Sequence, residues 1–435
     1  MEMDTIIIKE KRKGKQRITY NNSFRVVLTL FSILLASAFI RPVLSDYYSK
    51  GVFELDKEKL LRASRITNES ARYHYLIGLV EHGPRDRSGT ERAIGHYFAS
   101  LKNNPSDSQV WLAIASAYRD IGNMKDADYA LTKALYYDRE VPNVIWESGL
   151  FYLSENRQKE ALQVFRRFIS IVPFEQENVY ALCYMMKLSP LNILNDLIPA
   201  DYSYYRRYLA FLIAHSLFDE SAEVWKRMKT YNPERSEYLK YFDFLIASGA
   251  MSDALALWDD FVKKFYDPKN NQTGGILWNG DFELPIENGG FDWKIGKADG
   301  VRIHRDKDIK WTGFASLSVN FSGNTNPGIA IVQQIVPVHP GQKYKLSGHI
   351  RTEKISTQNG VVLEASGYLC DPFAKKTEPV IGTTLWKKVD LEFATPQKCK
   401  AVFIAVKRER SDKFDNKISG DAWIDSLSMT QTKTK

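Results

Sequence analysis

Hydrophobic positions follow two different periods along the chain, and the change falls near Gly275. Between residues 71 and 268, apolar residues recur at spacings of three and four, which predicts amphipathic helices. After Gly275, short runs alternate apolar and polar residues with turn residues between them, which predicts strands. The run DPKNNQTGG between the two regions predicts an interdomain linker over 269–276. We therefore expect a multi-domain α plus β protein, with a helical part followed by an antiparallel β-sandwich.

Two consecutive helical units begin at Ser108 and Pro142 and share a 34-residue period. Small residues such as Gly149 and Ala161 stand where the two helices of a hairpin would cross closely, and Phe165 would fill the space beside them. These units resemble tetratricopeptide (TPR) repeats. The resemblance implies an α-solenoid over 71–268, in which stacked units bury one another's apolar faces and present a surface to a protein partner.

One aromatic cluster in this region is denser than packing requires. Tyr204, Tyr205 and Arg206 lie close together in the run YSYYRRYLAF. We predict that part of this cluster contacts the protein partner. The alternative interpretation is a helix that is buried on two sides.

The strand-like runs after Gly275 are framed by an ordered set of short motifs. NGDFE opens the region, GFDWKI, GFASLSV, YKLSGHIRT and WKKVDLEF follow in that order, and AWIDSLSM closes it. This set resembles carbohydrate-binding modules of the jelly-roll class, the CenC-like family 4/9 type. The resemblance covers 277–432 and implies a two-sheet sandwich. The predicted strands span residues 315–321, 328–338, 342–353, 360–369, 387–396, 400–409 and 422–430.

The same resemblance implies a structural calcium ion, for which Asp281, Glu283 and Asp425 are the candidate ligands. Oxygen-only ligands suit such a hard cation. The alternative is an Asn-Gly turn with solvated acids. No other cofactor is required by this interpretation.

Sugar binding in such folds requires aromatic faces with polar groups beside them. The alternation in KYKLSGHIR places His349 and Arg351 on the polar face of its strand, and the next run places Glu364 and Tyr368 on its own polar face. Trp311 is the aromatic residue that best completes this predicted sugar-binding surface. These five residues would line one carbohydrate-binding groove if the polar faces of the two strands lie on the same side of the sandwich. The alternative is a solvated polar face that binds no ligand. The sequence favours core positions for Trp293, Trp386 and Trp423.

Charge and composition add a predicted location. The chain carries 60 Lys and Arg against 52 Asp and Glu, without the concentrated basic stripe of a nucleic-acid-binding protein. Residues 24–44 form an apolar run bounded near its ends by Arg25 and Arg41, which predicts one transmembrane helix. Residues 1–23 would then be cytoplasmic, with a helical lead-in over 45–70 and the bulk of the protein in the periplasm. A cleaved signal peptide, with Ala36 to Ala38 as its cleavage site, competes with this interpretation.

An oxidising location would allow Cys370 and Cys399 to form a disulfide, although two separate buried thiols also fit. The sequence lacks the common catalytic motifs, so we expect a protein that is not an enzyme. Together these features predict a single-pass inner-membrane, extracytoplasmic adaptor. Its repeats would bind a protein and its sandwich a polysaccharide, in exopolysaccharide synthesis or export. The alternative is an envelope assembly scaffold whose sandwich binds protein rather than glycan.

Overall fold

The computed structural model describes residues 58–60, 62, 70–83, 86–266, 276–414 and 416–432. The chain divides into two compact units, Met1–Pro199 and Ala200–Lys435. This division falls before the last two helical hairpins, so those hairpins belong with the β-sandwich. Residues 267–275, which include most of the predicted linker, lie outside the described residues.

In the first unit, consecutive helices pack in pairs. Short polar turns connect them, and aspartate or asparagine side chains cap several of their amino termini, as Asp107 does for the helix that starts at Ser108. The helices are α1 Ser70–His82, α2 Arg87–Leu101, α3 Ser108–Asp120, α4 Met124–Tyr137, α5 Pro142–Ser154, α6 Gln158–Ile171 and α7 Gln176–Met185. A shorter helical segment, Pro190–Asn192 followed by Ile193–Leu197, completes the unit.

Close helix crossings explain two of the glycines in the predicted repeat. A Cβ atom on Gly149 of α5 would lie 2.5 Å from the Phe165 ring of α6, and one on Gly78 of α1 would lie 2.3 Å from the Tyr97 ring of α2. Glycine therefore lets a large ring of the second helix sit against the backbone of the first. This is the small-against-large packing that the sequence pattern predicts for each hairpin.

The second unit begins with two further hairpins, which are formed by α8 Tyr202–Ala214, α9 Phe218–Lys229, α10 Arg235–Ala247 and α11 Met251–Phe265. A capping box starts α10, where the Glu234 side chain accepts from the backbone of the first turn and Glu237 accepts from the backbone N–H of Glu234. The apolar faces of α10 and α11 bury Phe242 and Trp258. The capping box therefore fixes where α10 begins, and burial of the apolar faces stabilises α10 and α11 along their length.

The rest of the second unit is a sandwich of two antiparallel sheets, as the sequence predicts. Sheet A has the strand order β1-β4-β9-β6-β7, and sheet B has the order β2-β3-β10-β5-β8. The strands are β1 Lys294–Ile295, β2 Val301–Asp306, β3 Ser316–Ser322, β4 Ile329–Pro337, β5 Lys343–Ile355, β6 Val362–Tyr368, β7 Ala374–Lys376, β8 Gly382–Ala394, β9 Ala401–Arg408 and β10 Ser419–Thr432.

Burial alternates along the strands, which fixes the inner and outer faces of each sheet. In β5, Tyr344, Leu346 and Ile350 are buried between the sheets, whereas His349 and Arg351 are only partly buried on the outer face. This is the assignment of faces that the sequence predicts. Cys370 and Cys399 are joined by a disulfide that links the segment after β6 to the segment before β9.

Aromatic side chains connect the last hairpin to the sandwich. The Trp258 ring of α11 lies edge-on to Trp278 with ring centroids 5.5 Å apart, and the Phe242 ring of α10 contacts Phe291 at 4.6 Å. Gly290 has a positive φ of 65°, and a Cβ atom there would lie 2.1 Å from the Trp258 ring. The sandwich therefore packs directly on the hairpin α10–α11.

Ion pairs surround this aromatic contact. Arg235 at the start of α10 pairs with Glu287, whose side chain is nearly buried. Lys294 of β1 pairs with Asp243 of α10, with Nζ and Oδ1 3.0 Å apart. Polar and apolar contacts thus both hold the sandwich against these two helices.

One finding contradicts the prediction of a single-pass inner-membrane protein with its bulk in the periplasm. Among the residues that the structure describes, no helix combines the length and the apolar character that crossing a membrane requires. The predicted membrane segment, 24–44, lies outside those residues. We do not retain the membrane prediction.

Candidate functional site

One loop lies over the outer face of sheet B, and three carboxylates hold its backbone. We name residues 307–315 the aromatic loop. Asp306 at the end of β2 accepts hydrogen bonds from the N–H groups of Asp308 and Ile309, at 2.8 and 3.2 Å. Asp425 of β10 accepts from the backbone N–H groups of Trp311 and Thr312, at 2.7 and 3.1 Å. Carboxylates from two strands thus fix the first part of the loop.

Glu283 fixes the other end of the aromatic loop. Its Oε1 accepts from the backbone N–H groups of Phe314 and Ala315, at 2.8 and 3.4 Å. Gly313 has a φ of 68°, and a Cβ atom there would lie 1.9 Å from the Glu283 carboxylate. The loop therefore needs glycine at this position for both its backbone conformation and its approach to Glu283. Backbone contacts, which do not depend on the loop's own side chains, determine where Trp311 lies.

Trp311 forms an aromatic patch with His349 and Trp386. The Trp311 and His349 rings are stacked, with centroids 4.4 Å apart and planes 17° apart. Trp386 of β8 lies 6.3 Å from Trp311 between ring centroids. Trp311 remains 47% exposed although one of its faces covers His349. The patch therefore presents an indole surface to solvent on a rigid support.

Arg351 and Trp423 extend this site along the outer face. The Arg351 guanidinium carbon lies 5.4 Å from the Trp423 ring centroid, a cation–π arrangement. The Trp423 indole N–H donates to Asp306 Oδ2 at 2.9 Å. Trp423 is buried, as the sequence predicts, but it lies beneath Arg351 on the outer face and not between the sheets. It supports both Arg351 and the base of the aromatic loop.

Burial and neighbouring charges shift the protonation of the site. Burial and the Lys388 charge lower the pKa of His349, while Asp425 and Asp390 act in the opposite direction. Burial raises the pKa of Asp425, and the N–H groups of the aromatic loop oppose that effect. Burial alone would raise the pKa of Asp306. The hydrogen bonds from the Trp423 side chain and from backbone N–H groups outweigh this effect and lower the pKa of Asp306. His349 therefore favours its neutral form beside Trp311.

The structure brings together three of the five residues predicted to bind carbohydrate. Trp311, His349 and Arg351 lie on the outer face of sheet B. Glu364 and Tyr368 belong to β6 in sheet A, so their outward side chains lie on the opposite side of the sandwich. The single predicted groove does not form, because consecutive strands β5 and β6 enter different sheets.

Glu364 and Tyr368 also have other partners. Lys407 Nζ of β9 contacts both Glu364 oxygens, at 2.9 and 3.0 Å. The Tyr368 hydroxyl donates to the Ile246 carbonyl at the end of α10, at 3.3 Å. Tyr368 therefore helps to hold the sandwich against its neighbouring helix.

Trp386 is the site residue that sequence reasoning assigned to the core. The predicted strand starts at residue 387, whereas β8 starts at Gly382. The register between β5 and β8 shifts near Ile350, where the ladder is irregular. Lys388 pairs with the outward-facing His349, and Trp386 lies two residues before it, so ordinary alternation brings Trp386 to the same face as Trp311. The inward alternation of Val389, Leu391 and Phe393 is the signal that the sequence offered for this position.

The structure does not gather the three acids predicted to bind calcium into one cluster of carboxylates. Across the described residues, no group of three or more His, Cys, Asp or Glu side chains is placed to hold a metal ion. Glu283 and Asp425 instead accept backbone N–H groups of the aromatic loop. Asp281 accepts from the N–H of Glu283 within its own turn. N–H donors thus occupy one oxygen of Glu283, whereas its Oε2 is buried without a hydrogen-bond partner.

The predicted protein-binding cluster in α8 divides between core and surface. Tyr205 is buried, Tyr204 is half-buried and Arg206 is exposed. Arg206 lies beside Glu237 of α10, with Nη1 and Oε1 3.8 Å apart. A cavity of about 280 Å³ at this point is lined by apolar residues and by the basic side chains Arg206, Arg207 and Lys240.

The first unit contains a larger groove of about 480 Å³ between its odd-numbered helices. Tyr75 of α1, Leu112 of α3 and Leu150 of α5 contribute apolar walls. Arg119 lies in the same groove, with its guanidinium carbon 5.3 Å from the Phe151 ring centroid. The groove thus combines apolar surface with a cation at one side.

Comparison with known proteins gives partial similarities. No protein-family model matches the chain. It is 26% identical over 194 residues to the tRNA(Glu)-specific nuclease WapA of Bacillus subtilis subsp. natto, which covers 42% of this chain and 8% of that protein. It is 26% identical over 87 residues to the human General transcription factor 3C polypeptide 3, which covers 20% of this chain and 10% of that protein. The chain therefore spans a tenth or less of the length of these relatives.

The β part is similar to solved carbohydrate-binding modules. A CBM4 structure is 15% identical and covers 36% of this chain and 99% of its own, with a TM-score of 0.28. A CBM61 structure in complex with β-1,4-galactotriose is 17% identical and covers 37% and 100%, with a TM-score of 0.26. A xylan-binding CBM22 domain is 12% identical and covers 38% and 99%, with a TM-score of 0.27. At these low scores, what the chain binds has to be argued from its own site.

Proposed function

We propose that this protein is a binding adaptor whose sandwich holds a polysaccharide on the outer face of sheet B. The observation that carries this proposal is the Trp311 ring, which is stacked on His349 and still 47% exposed. The apolar face of a sugar ring packs against such an indole surface, and polar groups beside it satisfy the hydroxyls. Trp386 and Arg351 supply a second ring and a donor on the same face.

Preorganisation supports this role for the aromatic loop. Asp425 and Glu283 hold the loop through its backbone N–H groups, so Trp311 needs little further ordering when a ligand binds. Both carboxylates are thereby engaged, and Asp306 is bonded to Trp423. A glycosidase uses two carboxyl groups that are available to the substrate, so we favour binding over catalysis.

The helical units would bind a protein partner, as TPR-like repeats do. The groove of the first unit supports this proposal because it exposes Leu112 and Leu150 beside Arg119. Binding of a protein by the helices and of a polysaccharide by the sandwich suits a component that brings a polysaccharide to an assembly partner, for example in exopolysaccharide synthesis or export. A photo-crosslinking residue at Ser116 in the groove should capture the partner. The same residue at Thr132, which is exposed elsewhere in the unit, should not.

Titration with a panel of soluble polysaccharides tests the sandwich. We expect binding to be detected by calorimetry and Trp311→Ala to weaken it about tenfold or more, as for other central aromatic contacts. The substitution keeps the backbone N–H that donates to Asp425, so the loop should stay in place. Phe414→Ala is the matched control, because Phe414 is a fully exposed aromatic residue of the same sandwich. Equal affinities for the two variants would disprove the proposed site.

A second candidate function is a protein-assembly scaffold whose sandwich also binds protein. The observation that favours it is the exposure of two apolar side chains near the patch, Phe314 at 80% and Leu385 at 79%. Exposed apolar surface of this kind also marks protein interfaces. Loss of partner capture in Phe314→Ala, together with an absence of response to every glycan, would favour this function.

A further inference from the structure

Basic side chains border the aromatic patch. Lys388 of β8 pairs with His349 of β5 in the strand register, and its side chain is 58% exposed although Nζ lies 3.9 Å from Asp390 Oδ1. Lys387 is also exposed, but it lies opposite the buried Ile350 in the register and so does not belong to this face. Arg351 lies two residues after His349 on the same face of β5. Cationic groups are therefore present on both sides of the Trp311–His349 stack.

Three acidic side chains around the same patch are engaged within the protein. Asp425 is fully buried and accepts from backbone N–H groups of the aromatic loop. Asp306 accepts from the Trp423 indole and from two backbone N–H groups. Asp390 accepts from the Ser347 hydroxyl at 2.6 Å and pairs with Lys345. Lys388 and Arg351 therefore flank the stack, while Asp308 of the aromatic loop and Glu353, the next outward residue of β5, are acidic side chains that stay accessible beside them.

We infer that the aromatic patch selects glycans whose rings carry carboxylate groups, that is, polymers of uronic acids. A sugar ring stacked on Trp311 would place its substituents beside Lys388 on one side and Arg351 on the other. Lysine supplies a mobile point charge, and arginine supplies a planar pair of donors that matches a carboxylate. This inference rests on the proposed function and adds the chemical class of the ligand.

Matched pairs of oligosaccharides test the inference on the full-length protein. Each pair has the same ring linkage and length and differs only in charge. One pair consists of cello-oligosaccharide and its C6-carboxylate form, a second of oligogalacturonate and its methyl ester, and a third of oligomannose and oligomannuronate. We expect the carboxylated member of at least one pair to bind about threefold to tenfold more tightly at low ionic strength, because exposed charge pairs contribute modestly. The preference should shrink between about 50 mM and about 500 mM salt, because exposed charges are screened.

Charge variants then assign the effect to the patch. Lys388→Gln should reduce the preference for the carboxylated member and leave binding of its neutral partner nearly unchanged. Lys297→Gln removes the same charge from an exposed position outside the patch and should change neither. Trp311→Ala should weaken both members of a pair.

The outcomes separate this inference from the proposed function. If neutral and carboxylated members bind equally, or if the control variant loses the preference as the patch variant does, the inference is wrong and the glycan site stands. If no member of any pair binds, the proposed glycan function fails and the inference fails with it.

Discussion

Asp292 provides a sharp test of the energetics of the second unit. Its side chain is 1% exposed, Oδ1 is buried without a hydrogen-bond partner, and Oδ2 accepts from the N–H of Glu287 at 2.6 Å. Burial raises the pKa of Asp292 to about 7, while hydrogen bonds from Trp293 and Asn279 act in the opposite direction. The folded protein therefore holds this proton more tightly than the unfolded chain does.

The sign of the pH effect follows from this difference. A carboxyl group with a raised pKa in the fold favours folding at low pH, and that contribution is lost as pH rises through the folded pKa. With a pKa of 3.8 in the unfolded chain and about 7 in the fold, the loss amounts to about 4 kcal/mol in the free energy of unfolding. It accumulates between about pH 4 and pH 8.

Replacing Asp292 by asparagine removes the titration while keeping the shape of the side chain. We expect Asp292→Asn to match the wild type near pH 4 and to exceed its free energy of unfolding near pH 8 by up to about 4 kcal/mol. Urea unfolding followed by tryptophan fluorescence across this pH range measures the difference. Asp299→Asn, at an exposed position, should parallel the wild type. A difference between Asp292→Asn and wild type that stays constant with pH would refute the assignment of a raised pKa.

Two further predictions concern packing and covalent stability. Gly149→Ala should destabilise the first unit by about 1–3 kcal/mol, because the new methyl group would overlap the Phe165 ring. Gly95→Ala is its control, since the space around Gly95 is open and alanine favours a helix by about 0.5–1 kcal/mol; thermal unfolding that ranks the two variants equally would contradict this account. Cys399→Ser should lower the free energy of unfolding by about 3–4 kcal/mol, because the disulfide closes a loop with a sequence separation of 29. Denaturant midpoints measured with and without reductant check this value, and an unchanged midpoint on reduction would contradict it.

The sequence alone determined the order of the two folds and much of the sandwich. Apolar and polar residues alternate along most long strands, and this alternation is visible in the sequence. Seven strands therefore overlap predicted ones: β3, β4, β5, β6, β8, β9 and β10. Strands β1, β2 and β7 escaped prediction. The two and three residues of β1 and β7 are too few for a detectable alternation, and β2 carries only two apolar residues, Val301 and Ile303. Helix crossings were predictable for a similar reason, since a small residue on the first helix of a hairpin faces a large one on the second, as Gly149 faces Phe165.

The tertiary structure decided which faces are available. Local alternation shows that His349 and Tyr368 both point outward from the core, but it cannot show that β5 and β6 belong to different sheets. Sheet membership depends on hydrogen bonds between strands far apart in the chain, and these leave no local pattern. The same non-local pairing joins Asp425 to the aromatic loop and brings Trp386 of β8 beside Trp311. The sequence thus determined the elements and their inner faces, whereas long-range pairing alone assembled the site.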